Sequence, residues 1–251
     1  MPLFNDYTWP PEQKAKLDLD GHLVLPGLLT EESQQKLTES LSRIHELSRS
    51  TGPGPKPTSM YAAEYDRYLE SIIDHPEMLQ LAGHVLGDDF RFDHCVSLIR
   101  PGGNRGSGWH THGYAEDIQE LGFVRIFFYV NGFTPDDGGL KAVPGSHLYR
   151  RIRIRASVDD EDMWAAWGDD RTHPATGEPM RVEELTAPPG TVALMWTHAL
   201  HGVTPRQPNS DNRWCVVYAY RNPGLPSGAR RISFSFEHKS RKTRGNLVDL
   251  Y

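Results

Sequence analysis

The sequence predicts an α+β chain that is mainly β, with N-terminal helices leading into a sandwich or barrel of short strands. Three observations carry this. Apolar residues recur at helical spacing in the first third, and from Phe90 onward they form short alternating runs bounded by Gly, Pro, Asn and Asp. The 23 glycines and 19 prolines make 42 of 251 residues, about 17% against a usual total near 12%, which favours a turn-rich globular chain.

Thr30, with Glu31 and Glu32 in the first turn, starts a helix whose Leu37, Leu41, Ile44 and Leu47 share one face. The run Ser50 to Pro57 carries two glycines and three prolines and ends that helix in a loop or small lid. Met60 to Ile73 and Pro76 to Leu86 read as two further helices. Strands are expected over Phe92 to Ile99, Val124 to Phe133, Leu140 to Val143, Arg181 to Leu185, Thr191 to Trp196 and Cys215 to Arg221. Asp159 to Asp170 reads as a helix-containing insertion with Met163, Trp164 and Trp167. The basic stretch from Glu237 ends in Leu247 to Tyr251, which is expected to pack back onto the body. No linker divides the chain, so residues 1–251 are read as a single domain, helical over about 11–87 and a barrel over about 88–236.

Composition excludes several function classes. The longest apolar runs, Phe123 to Val130 and Thr191 to Trp196, fall short of the roughly 20 residues of a membrane helix, so no membrane span is expected. Met1 to Pro10 lacks a basic segment followed by an apolar one, against a secretory signal. With 27 Lys and Arg against 33 Asp and Glu the net charge is -6, which removes the usual electrostatic drive for nucleic acid. Cys95 and Cys215 both lie in apolar stretches, where packing as small hydrophobes is expected over a disulfide, in keeping with a reducing, cytoplasmic setting.

Two histidine clusters carry the chemistry. In Trp109-His110-Thr111-His112 the imidazoles are two residues apart, and on a strand such residues project from the same face. Two histidines at that spacing in a loop are ordinarily polar surface. Here a second cluster, His198-Ala199-Leu200-His201-Gly202, follows Pro188-Pro189-Gly190 and an apolar strand, so both clusters fall at strand ends, where a barrel mouth lies. One histidine of the second cluster completes a three-point face that leaves open positions for substrate and oxygen on a non-haem Fe(II).

Trp109-His110-Thr111-His112, Phe127-Phe128-Tyr129-Val130, Gly138-Gly139-Leu140 leading to Val143-Pro144-Gly145-Ser146-His147, then His201-Gly202 and Arg213, resemble the phytanoyl-CoA dioxygenase family of Fe(II)/2-oxoglutarate oxygenases. The resemblance spans roughly Gly21 to Pro223, and the Pro-Gly-Ser-His element is its most specific part. It implies a double-stranded β-helix, a jelly-roll, cupin-like barrel flanked by N-terminal helices. It implies Fe(II) as metal, 2-oxoglutarate as cosubstrate, and O2 and a small organic molecule as partners. The implied reaction is hydroxylation through a ferryl species with release of succinate and CO2. Residue by residue, it makes His110 and His201 metal ligands, with His198 the competing candidate for the distal position. It makes Arg213 the partner of the far carboxylate of 2-oxoglutarate, a role suited to a guanidinium that keeps its proton. His147 is expected to stabilise its loop and Gly138 and Gly139 to serve backbone geometry; Trp109 and Tyr129 are candidates to line the pocket, but aromatics on a barrel strand are more often core, and they are left out of the site.

This sequence departs from the family pattern at one position. A carboxylate normally stands two residues after the first histidine, and here that residue is His112. Three readings follow: His112 itself binds the metal; Glu116 or Asp117 supplies a carboxylate, in a pattern resembling two histidines and a glutamate of cupins; or the site is degenerate. A cupin-like metalloenzyme without 2-oxoglutarate and a non-catalytic small-molecule-binding barrel are the corresponding alternatives to the oxygenase.

Overall fold

The computed structural model describes residues 1–49, 59–112, 122–150, 153–224, 232–237 and 247–249. The helices are α1 (Pro11–Asp20), α2 (Glu31–Arg49), α3 (Ala62–Tyr65), α4 (Arg67–Ile72), α5 (Pro76–Leu86), α6 (Asp160–Trp167) and α7 (Phe234–Glu237). The strands are β1 (His22–Leu25), β2 (Phe90–Ser97), β3 (Ser107–His110), β4 (Phe123–Tyr129), β5 (Leu140–Ala142), β6 (Glu183–Glu184), β7 (Thr191–Trp196), β8 (His201–Val203), β9 (Cys215–Arg221) and β10 (Leu247–Asp249).

These strands form two sheets. The larger has the order β1-β7-β4-β9-β2-β10, antiparallel except where β10 runs parallel to β2, and the smaller has the order β3-β8-β5-β6. Alternation along the strands of the larger sheet sorts its side chains into two layers. Phe127, Tyr129, Ala193, Met195 and Val217 point toward the smaller sheet and meet its Leu140, Ala142 and Val203. Val124, Ile126, Phe128, Leu194, Val216, Tyr218 and Tyr220 point the other way and pack against Leu37, Leu41, Leu69 and Met78 of the helices. The hydroxyls of Tyr218 and Tyr220 donate to the carbonyls of Leu69 and Ile73 at 3.0 and 2.7 Å, tying the helical layer to the sheet. The two-sheet jelly roll with helices on one face is the expected fold class, and β10 returns the chain end to β2.

Local chemistry explains the element boundaries. Thr30 Oγ1 accepts from the Ser33 N–H at 3.1 Å and caps α2, which buries Leu37, Leu41 and Ile44 as the spacing predicts. Leu47, placed on the same stripe from sequence, is exposed. The single helix expected over Met60 to Ile73 is two helices, because Asp66 adopts an extended backbone. Its carboxylate accepts from the N–H groups of Tyr68 and Leu69 at 2.9 and 3.1 Å and starts α4, while Arg43 pairs with it at 2.7 Å. That guanidinium and those N–H groups hold the Asp66 carboxyl below its ordinary range against the opposing effect of burial.

Strand limits also shift. β2 begins at Phe90 and stops at Ser97, and the expected Val124 to Phe133 strand stops at Tyr129, four residues before Phe133 bridges to Ala187. Arg181 to Leu185 contributes only the two residues of β6. β1, within the region read as helical, is a four-residue strand at the edge of the larger sheet. α6 forms in the expected insertion, capped by Asp159 and burying Met163 and Trp167. The Ser50 to Pro57 loop lies outside the described residues. Cys95 and Cys215 are both free and buried. Among the described residues no helix is long and apolar enough to cross a membrane.

Candidate metal centre

The two histidine clusters meet because β3 and β8 are neighbours in the smaller sheet and His110 pairs directly with His201 across them. Their rings lie 4.3 Å apart, and His112, just past the end of β3, places its ring 4.8 Å from His110 and 5.2 Å from His201. One potential ligand atom from each of the three lies within 4.8 Å of the others.

Backbone carbonyls set the imidazoles' orientation. His110 Nδ1 donates to the Gly108 carbonyl and His201 Nδ1 to the Ala199 carbonyl, both at 2.8 Å. A proton fixed on Nδ1 leaves the Nε2 lone pair of each ring for a metal. His112 Nε2 accepts from Arg125 Nη1 at 2.5 Å. Because arginine only donates, the lone pair of that nitrogen is turned to Arg125, and His112 binds a metal there only when the guanidinium gives it up. Burial lowers the pKa of all three; the charge of Arg125 adds to it at His112, and the neighbouring imidazole adds to it at His201. Three neutral imidazoles converging on one point suit a divalent transition ion such as Fe(II).

The other sequence candidates fall into distinct places. Glu116 and Asp117 lie outside the described residues. His198 is buried away from the cluster, its pKa lowered to about 4 by burial and by the charge of Arg150. His147 Nε2 bonds the Asp18 carbonyl at 2.9 Å, fastening its turn to α1 in the loop-stabilising place expected of it. Trp109 is buried on the far side of the smaller sheet, among Val143, Met163 and Leu200, and donates to Asp160 at 3.0 Å.

Arg213 lines the same cavity as the three histidines, a space of about 180 Å³. It donates to the Asp137 carbonyl at 2.5 Å and lies over the Phe133 ring, 5.3 Å from its centre. Burial lowers its pKa to about 10, which leaves it charged at neutral pH. Gly138, at φ +67°, makes room for it: a Cβ there would come within 2.0 Å of Arg213 Nη2.

Three charged or titratable lining residues escaped the sequence reading, His94, Arg100 and Arg125, while Tyr129 belongs to the core between the sheets as expected and also lines the cavity. Arg100 and Arg213 pair as backbone neighbours through N–H to carbonyl bonds of 3.1 and 2.8 Å. Arg125 left a signal in the sequence, as the lone charge inside the apolar run Phe123 to Val130.

Residues 17–209, more than half the chain, match the family model described as phytanoyl-CoA dioxygenase (PhyH). The chain belongs to the phytanoyl-CoA dioxygenase family. It is accordingly a non-haem oxygenase dependent on Fe(II) and 2-oxoglutarate. Among solved structures the fold resembles HygX from Streptomyces hygroscopicus with nickel and 2-oxoglutarate bound, at 16% identity and a TM-score of 0.62, covering 87% of this chain and 88% of that one. It resembles the non-haem α-ketoglutarate-dependent carbocyclase SnoK from nogalamycin biosynthesis at 18% identity and a TM-score of 0.66, covering 96% and 94%. EvdO2 from Micromonospora carbonacea var. aurantiaca, complexed with 2-oxoglutarate, is similar at 16% identity and a TM-score of 0.63, covering 92% and 100%. No curated protein matches the chain.

Proposed function

We propose that His110, His112 and His201 hold the Fe(II), that Arg213 takes the distal carboxylate of 2-oxoglutarate, and that the enzyme hydroxylates a small organic molecule. The observation that carries this reading is the cross-strand pairing of His110 with His201, with His112 beside both. When bound, iron and 2-oxoglutarate supply oxygen activation, one oxygen atom going to succinate as CO2 leaves and the other entering a C–H bond of the substrate.

The chain's residues bind, orient and enclose. Gly108 and Ala199 lock the rings of His110 and His201 through their carbonyls. Burial keeps the donors neutral, so protons compete weakly with the metal. Arg213, held by Asp137 and the Phe133 face, presents a charged fork to a carboxylate. With a third imidazole in place of a carboxylate, the donor set carries one negative charge fewer and strengthens the pull of the centre on anionic ligands.

Succinate release tests the reading. The iron-loaded protein in air is expected to convert 2-oxoglutarate to succinate, with loss of turnover in His110→Ala and His201→Ala. Bound iron without 2-oxoglutarate turnover in the presence of candidate substrates would instead support a metalloenzyme of the cupin type. Failure to bind either would support a binding barrel.

A further inference from the structure

The tyrosines of the larger sheet divide by face. Tyr218 and Tyr220 on β9 point to the helices, and each donates its hydroxyl to a carbonyl there, at 3.0 and 2.7 Å. A buried phenol ordinarily finds such a partner. Tyr129 on β4 points the other way, toward the smaller sheet, and is also buried. Among the described residues its hydroxyl has no hydrogen-bond partner, yet it is not sealed within the core, and the cavity is the space it opens onto.

Packing alone does not call for that oxygen. The Tyr129 ring stacks on Phe127, with 5.9 Å between ring centres, and meets Phe133 edge to face at 4.6 Å. A phenylalanine would make both contacts as well. A hydroxyl kept on a cavity wall is explained by what enters the cavity. Burial raises the pKa of the phenol, the Cys215 thiol adding to the effect and the charge of Arg213 opposing it. The group therefore keeps its proton and is available as a donor.

Strand register sets what the hydroxyl faces. Tyr129 pairs with Cys215 across β4 and β9, and Arg213 stands two residues before Cys215, also lining the cavity. Tyr129 and Arg213 are thus diagonal neighbours, about 7–8 Å apart at the backbone, a separation that aromatic and long side chains span. Both reach the same ring: Phe133 meets the Tyr129 ring at 4.6 Å and carries the Arg213 guanidinium 5.3 Å from its centre. Arg213 itself is incompletely satisfied. Its Nη2 donates to the Asp137 carbonyl, while its Nε is buried without a partner. The small side chain of Cys215 forms the floor beside the two donors.

We infer that the Tyr129 hydroxyl is a second donor to the distal carboxylate of 2-oxoglutarate, beside Arg213, and that the two together select a 2-oxo dicarboxylic acid over a 2-oxo monocarboxylic acid. The inference rests on the proposed place of that carboxylate at Arg213, and it adds a residue that sets cosubstrate selectivity. The two donors differ in kind. The guanidinium supplies charge, and the hydroxyl supplies one directed bond from a neighbouring strand, so Tyr129 fixes how the carboxylate turns on the Arg213 fork.

The test titrates nickel-loaded protein by calorimetry with 2-oxoglutarate and with 2-oxobutyrate, which has the same 2-oxo acid head and no distal carboxylate. Binding of 2-oxobutyrate is read directly or by its displacement of 2-oxoglutarate. Tyr129→Phe keeps the ring and its packing on Phe127 and Phe133. It is expected to weaken 2-oxoglutarate binding about ten-fold, as loss of a hydrogen bond to a charged group does, and to leave 2-oxobutyrate within about two-fold. A second reading uses the unaltered chain: 2-oxoglutarate, unlike 2-oxobutyrate, is expected to perturb the near-ultraviolet absorption of a tyrosine, and Tyr129→Phe to abolish that difference. Unchanged 2-oxoglutarate affinity in Tyr129→Phe overturns the inference. So does a loss that falls equally on both acids, which would mark a structural role. Arg213→Ala, titrated alongside, separates the two assignments. If it leaves 2-oxoglutarate affinity unchanged, the place of the carboxylate at Arg213 fails; if it weakens binding while Tyr129→Phe does not, the Tyr129 assignment alone fails.

Discussion

His110 and His201 face each other as a cross-strand pair, their rings 4.3 Å apart, although they belong to clusters far apart in the chain. Every metal-dependent expectation starts from this pairing. The two rings are fixed by the sheet and by their own carbonyl partners, while His112 lies just beyond β3 and is held by Arg125.

The third ligand is tested by substitution. His112→Ala is expected to lower iron affinity by an order of magnitude or more, and Glu116→Ala to lower it much less, as measured by competition with a metal chelator. Loss of iron in Glu116→Ala with retention in His112→Ala would move the third ligand to the carboxylate.

The cosubstrate is tested at Arg213 and at the glycine that accommodates it. Arg213→Ala is expected to weaken 2-oxoglutarate binding at least ten-fold with iron retained. Gly138→Ala is expected to produce the same selective loss, because its Cβ would come within 2.0 Å of the guanidinium at a φ of +67°. Calorimetric titration of 2-oxoglutarate into metal-loaded variants reads both, and unchanged affinity in Arg213→Ala would place the carboxylate on another residue.

Much of this was legible in the sequence, and the exceptions have physical reasons. His110, His112 and His201 stood out because strand periodicity and chain-distant clusters are both visible in one dimension. Arg100 and His94 were not, since their place depends on which strand neighbours β9 and on a one-residue bulge at Asp93. Tyr129 reads as core because its alternation is that of any buried strand, and only the gap between the sheets turns that face into a cavity wall. The break at Asp66 was hidden for a different reason: the surrounding residues keep helical spacing, and the cap becomes apparent only through its bonds to Tyr68 and Leu69. A substrate leaves no motif of its own, because pocket specificity lies in such tertiary rows.

That cap carries a stability prediction. Asp66→Ala removes the acceptor for two N–H groups and the partner of Arg43, and is expected to cost about 1–2 kcal/mol. Chemical denaturation should show the loss with an unchanged m-value, and a variant as stable as the parent would show that α4 starts without the cap.

Acid stability follows from His147 and His198. Burial lowers the pKa of both to about 4, so the folded chain holds them neutral while the unfolded chain takes up protons near its ordinary value of about 6.5. The unfolded state therefore binds more protons below that value, and stability present above about pH 6.5 is lost as pH falls toward 4. His198→Gln is expected to flatten this acid limb in denaturation midpoints measured across pH. An acid limb as steep as that of the parent would place the proton uptake elsewhere.

The proposed metal centre draws three imidazoles from two distant clusters onto one iron. A crystal of the protein loaded without oxygen with Fe(II) and 2-oxoglutarate tests it most directly. Nitrogen atoms of His110, His112 and His201 are expected at roughly 2.0 to 2.1 Å from the metal, with the distal carboxylate of 2-oxoglutarate on Arg213. An ion bound away from the His110–His201 pair, or one that takes a carboxylate in place of His112, would contradict it.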